Sequence, residues 1–183
     1  MCANDVRLLR KIERFAKKCC DNYTLEPGPG LWSHVQLVRR FALKLAKVEG
    51  VDTQALEYAA LLHDIGKNDK DGRENHSLRS YELTKKFLKT VNLPESTREL
   101  IQECVLKHST SYSLEDNRIE VKVLQCADAL GVLFDDEWQE YTKSTLPRMA
   151  VEQLYERSLK KITLESARRL AEPQIAKLKA LLE

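Results

Sequence analysis

The chain has 183 residues, enough to bury roughly 70% of its unfolded surface in one core without disulfide or metal staples. Lys and Arg number 30 against 28 Asp and Glu, a formal net charge of +2. That balance gives bulk electrostatics no reason to favour long nucleic acid or a membrane surface. No apolar run approaches the roughly 20 residues of a membrane span, and the charged N-terminal stretch has no secretory core, so the expected location is cytoplasmic. The five cysteines, Cys2, Cys19, Cys20, Cys104 and Cys126, form no Cys-x-x-Cys pair. They are expected reduced, with no thiolate metal site.

In chain order, every segment reads with helical period, and no alternating strand run or hairpin turn interrupts. A first helix is predicted from about Asn4 to Cys20, with Val6, Leu9, Ile12 and Phe15 or Ala16 on one side. Glu26-Pro27-Gly28-Pro29-Gly30 breaks it from a second helix, capped by Ser33 and closed by Gly50. Asp52 or Thr53 caps a third, which ends near Asp64 with Gly66 as its stop. Polar residues 68–75, with the Asp71-Gly72 turn signal, lead to a helix opened by Asn75 or Ser77 and running to about Val91. Pro94 starts the next, to about His108. A polar loop follows, then a helix from about Arg118 to Leu133. The remainder is helical and broken by Pro147 and Pro173; its stripe Val151, Leu154, Ser158 and Ile162 either completes the bundle or joins two copies in a homodimer. The expected fold is all-α. One domain spans 1–183, with a core at about 30–135, a helix 4–20 and C-terminal helices 135–183 packed on it.

The informative pattern is where the four histidines fall. His34 heads the stripe Val38, Phe41, Leu45; His63 ends one with Leu56 and Ala60. His76 begins one with Ser80, Leu83 and Phe87, and His108 ends one with Ile101 and Cys104 or Val105. Asp64 follows the run Ala59-Ala60-Leu61-Leu62, and Asp128 lies seven residues after Val121 and four after Leu124. A carboxylate on an apolar face is costly unless a cation or donors meet it. Taken singly, each has an ordinary reading: a satisfied core histidine, a helix-end Asp64 bonded to backbone, an Asp128 paired with an arginine such as Arg39. Taken jointly, imidazoles and carboxylates at the ends of core-facing stripes are the groups a first-row divalent metal wants.

The order His34, His63-Asp64, Asp128, with His63-Asp64-Ile65-Gly66-Lys67 after an Ala-Leu-Leu run, resembles the H…HD…D signature of the HD superfamily of metal-dependent phosphohydrolases. His76 and His108 fall where the dinuclear H…HD…H…H…D variant has its extra histidines, as in small stand-alone bacterial HD proteins and the diadenosine tetraphosphate hydrolase branch. The resemblance covers about residues 30–135. It implies one ion on His34, His63, Asp64 and Asp128, and a second on His76 and His108, with Asp64 bridging. The ions would be iron or manganese, with magnesium, cobalt or nickel as alternatives, and a metal-bridging hydroxide would cleave a small phosphate ester or nucleotide.

In that reading Asp64 and Lys67 are catalytic, and Lys67, Arg73 and Arg79 bind substrate; the ordinary alternatives are a solvated loop lysine near a helix C-terminus for Lys67 and surface roles for the two arginines. The chain lacks the Gly-Tyr-Pro segment and His-His pair of the HD-GYP branch, which disfavours cyclic di-GMP. The same ligand pattern also serves di-iron oxygenases, and degenerate members of the superfamily are binding modules. Trp32 and Tyr112 flank ligand-bearing segments and read as packing or surface residues before base-stacking ones. Asp69 and Asp71 fail the calcium-loop spacing and read as a solvated turn.

Overall fold

A computed structural model describes residues 3–23, 30–67, 75–109 and 117–182. Among these it contains nine α-helices and no strand: α1 Ala3–Cys20, α2 Leu31–Glu49, α3 Thr53–Leu62, α4 His76–Leu88, α5 Glu95–Lys107, α6 Ile119–Leu133, α7 Asp136–Thr145, α8 Arg148–Lys160 and α9 Glu165–Leu182. No described helix is long and apolar enough to cross a membrane.

The bundle is organised around α6, which packs against α2, α3, α5, α7, α8 and α9. Its sequence explains this position. Val121, Val123, Leu124, Cys126, Ala127, Ala129, Leu130 and Leu133 are apolar all round the helix, so no face prefers water, and all are buried. The α3 helix is similar, buried without a break from Ala55 to Leu62. Arg39 on α2 fastens the outer layer, donating to Glu57 on α3 and Glu13 on α1. It is therefore not the partner of Asp128, one of the ordinary readings of that aspartate.

Some helix ends obey local chemistry. Asp52 caps α3 by accepting from the Gln54 and Ala55 amides, and Gly50 closes α2 in the left-handed region at φ 68°. Three ends differ from expectation. The α2 helix starts at Leu31, before Ser33, whose hydroxyl instead donates back to the Gly30 carbonyl. The α3 helix ends at Leu62, so His63 and Asp64 lie in the turn that follows rather than inside the helix. Pro173 does not break α9. Its ring and the Arg169 carbonyl it displaces are both on the exposed side, where water can take up the lost hydrogen bond, while Ala167, Ala171 and Gln174 stay buried opposite. Pro147 does separate α7 from α8. Val151, Ser158 and Ile162 are buried within the chain, so that stripe closes the bundle.

Candidate metal centre

Five segments carry the candidate ligands to one place: His34 near the start of α2, His63 and Asp64 after α3, His76 opening α4, His108 capping α5, and Asp128 in α6. His34 Nε2 lies 3.0 Å from Asp128 Oδ1 and 3.7 Å from Asp64 Oδ2. His63 Nε2 lies 3.2 Å from Asp64 Oδ2 and 3.7 Å from Asp128 Oδ1. On the other side of the same carboxylate, Asp64 Oδ1 is 3.5 Å from His76 Nε2 and 3.4 Å from His108 Nε2, and the two imidazole nitrogens are 3.2 Å apart. The six side chains thus form two groups that share Asp64, which offers one oxygen to each.

The spacing suits cations. Metal–ligand bonds of about 2.1 Å put neighbouring ligand atoms roughly 3.0 Å apart at right angles and about 4.2 Å apart when opposite. Ring orientation agrees. His63 Nδ1 sits 2.7 Å from the Ala60 carbonyl and His108 Nδ1 2.6 Å from that of Val105. A carbonyl only accepts, so Nδ1 carries the hydrogen, and in each neutral ring the Nε2 lone pair is turned toward the cluster. His63 Nε2 and Asp64 Oδ1 are both buried and make no hydrogen bond. A buried polar atom left unmatched costs about 1–3 kcal/mol, which a shared cation would relieve. The donor set and these two orphaned atoms fit a pair of metal ions.

Two glycines let the segments approach. A Cβ on Gly66 would stand 2.3 Å from the Ser80 backbone nitrogen, so only glycine lets the turn after Asp64 lie against the first turns of α4; its amide also donates to Ser80 Oγ. It had been expected as a helix stop, yet α3 has already ended four residues earlier. A Cβ on Gly131 would meet Val38 Cγ2 at 2.7 Å and His34 Cε1 at 3.1 Å, so α6 and α2 close together where His34 reaches Asp128.

Electrostatics divides the cluster. Burial alone would raise the Asp64 and Asp128 carboxyls. His63 and Lys67 beside Asp64, and Lys161 with a hydrogen bond to His34 beside Asp128, hold both well below the usual range. Burial alone would lower His63, but the two carboxylates lift it to about 9. Burial dominates at His108, which falls to about 4. Burial likewise opposes the Lys67 ammonium, and Asp64 beside it outweighs that and raises it.

Lys67 donates to Asp64 Oδ2 and lines the cavity at the centre. Arg79 instead donates through Nε to the Gly66 carbonyl and lies on the far side of that turn, in a groove with Cys19 and Leu83. Arg73, Asp69, Asp71 and Tyr112 fall outside the described residues. Trp32 is partly buried against the core and does not line the cavity. The cavity, of about 190 Å³, is walled by Tyr23, Leu31, Val132, Trp138 and Leu154, with His34, Lys67, His76 and Asp128 at its base. Lys161, at the end of α8, donates to Asp128 Oδ2 and also faces this space. Sequence reasoning missed it. Beside Lys160 at a helix C-terminus, it reads as an ordinary solvated cation.

The HD domain family matches residues 31–133, more than half of the chain and the whole span from α2 to α6 that carries the six side chains. The chain belongs to the HD domain family. A crystal structure of a predicted HD superfamily hydrolase from an uncultured Thermotogales bacterium is similar with a TM-score of 0.67 and 21% identity, over 94% of this chain and 88% of that one. Its likeness extends the shared fold beyond the matched segment, through the N-terminal and C-terminal helices. No curated protein matches this chain.

Proposed function

We propose that this HD domain protein is a metal-dependent phosphohydrolase, cleaving a phosphomonoester or phosphodiester of a small, nucleotide-like substrate. The observation that supports it most is the sharing of Asp64 between two ligand groups at the base of a cavity. His34, His63, Asp64 and Asp128 would hold one ion, and Asp64, His76 and His108 the other. Such a pair supplies Lewis acidity toward phosphate oxygens and makes water nucleophilic at neutral pH.

Charge supports an anionic substrate. At the base of the cavity the Lys67 and Lys161 ammoniums offset the Asp64 and Asp128 carboxylates. Asp135 on the wall is already engaged, accepting from the Trp138 amide at the start of α7. Neutral imidazoles add no charge, so bound ions would bring a net positive potential into the cavity. Lys67, held on Asp64 and lining the cavity, would orient and neutralise the substrate's phosphoryl group. The apolar wall of Leu31, Val132, Leu154 and Trp138 takes the organic part of the ester.

The test is a screen of purified protein loaded with iron, manganese or cobalt against nucleotides and aryl phosphates, reading phosphate or alcohol release. Metal-dependent turnover of at least one class is expected. Silence across all metals and substrates overturns the reading.

A further inference from the structure

Beyond Lys67, the geometry points to a second phosphate-binding residue from outside the family-matched segment: we propose that Lys161 holds a phosphate oxygen of the substrate. This rests on the phosphohydrolase reading above and assigns part of that substrate site to the C-terminal helices.

Lys161 differs from its neighbour Lys160, which is exposed; it is 6% exposed and turned inward. Its backbone is fixed on both sides: its amide donates to the Ser158 carbonyl at 3.1 Å, and its carbonyl accepts the Cys126 thiol at 3.4 Å. Cys126 lies two residues before Asp128 on α6, so the turn after α8 is docked beside the carboxylate. Burying an ammonium is costly unless an anion meets it. Here Asp128 meets it, but only through Oδ2; Oδ1 faces His34 and His63.

An ammonium has three donors, and the contact with Asp128 uses one. Lys161 also lines the cavity that holds Lys67, which sits on the other carboxylate. Once Asp128 shares its charge with a bound ion, Lys161 is less fully neutralised and needs a further anion. A phosphate offers several oxygens at once, enough for both lysines and the metal centre. A role confined to propping Asp128 would not require Lys161 to line the cavity.

The experiment is calorimetric titration of inorganic phosphate into manganese-loaded wild-type protein, Lys161→Met and Lys161→Arg, with metal content measured on each. Expected is a loss of phosphate affinity of about 10- to 100-fold in the Met variant, partial retention in the Arg variant, and unchanged metal content. Equal affinity in wild type and Met variant overturns the proposal. So does loss of metal together with phosphate, which would give Lys161 the sole task of positioning Asp128. Should the Met variant not fold, a crystal structure of the loaded wild type with phosphate decides. Nζ within about 3.2 Å of a phosphate oxygen supports the role, and an ammonium left on Asp128 alone overturns it. Wild type that binds no phosphate also overturns it. The release screen judges the phosphohydrolase reading separately, since turnover with a silent Lys161 would sink only this inference.

Discussion

The two halves of the cluster are built differently although they share Asp64. The first group has four candidate ligands, from α2, the turn after α3, and α6. The second has three, and two of them stand at helix ends, His76 opening α4 and His108 capping α5. Each half has its own glycine, Gly131 under His34 and Gly66 against the start of α4. A site with four ligands tolerates the loss of one. A site with three, two of them at termini, does not. The first ion is therefore expected to be the tighter and the second the more exchangeable.

The largest effect is expected where the halves meet. Asp64→Asn removes the shared carboxylate; the second ion should be lost and the first weakened, with activity falling about 1,000-fold or more. Elemental analysis showing two ions still bound would break the bridging arrangement. Next come the single histidines. His108→Ala leaves two ligands in the second group and should bind one ion per chain. His34→Ala leaves three in the first and should bind two, the first weakened by about 10- to 100-fold. Equal losses in the two variants would erase the distinction.

The glycines sharpen it further. Gly66→Ala sets a Cβ against backbone, which cannot swing aside, and should cost about 2–3 kcal/mol, or roughly 5–10 °C in Tm. It should also strip the second ion first, because Ser80 and His76 share α4. Gly131→Ala presses on side chains that can yield, Val38 and His34, so a smaller loss of about 1–2 kcal/mol is expected, with the first ion weakened. Thermal melts and metal titrations of the two variants check both statements.

These contrasts also show what a sequence reveals. All six clustered side chains were identifiable because helical phase places residues four and seven apart on one face, and a polar group ending such a stripe must be satisfied in the interior. The two groups, and which oxygen of Asp64 serves each, were not identifiable, since they depend on how α4 and α5 dock on α3. Gly66 looked like a helix stop because its true constraint, a neighbouring backbone 2.3 Å from a Cβ, comes from a segment 14 residues away. Gly131 lay hidden in an apolar run for the same reason. Lys161 was invisible because its partner Asp128 is 33 residues distant, and nothing local separates a buried helix-end lysine from a solvated one. Pro173 misled because the rule for proline inside a helix takes no account of which face it occupies.

The subtlest expected difference between the halves is in protons. In metal-free protein, His63 is raised to about 9, above the ordinary 6.5 of an unfolded histidine. Its proton therefore contributes stability that is fully present below about 6.5 and lost as pH rises through about 9. His108, pressed down to about 4, behaves oppositely: its contribution is present above about 6.5 and lost as pH falls toward 4. Metal ligation needs both rings neutral. His108 already is neutral near pH 7, so it has no proton to release, whereas His63 must give one up. Affinity at the first group should then rise about tenfold per pH unit toward 9, with no part of that slope coming from His108. The His108→Ala variant isolates the first ion, and the gap in Tm between its loaded and metal-free forms should widen steadily from pH 6.5 to 9. A flat gap would mean that His63 holds no proton in the metal-free protein, and that the two aspartates beside it are balanced by Lys67 and Lys161 alone.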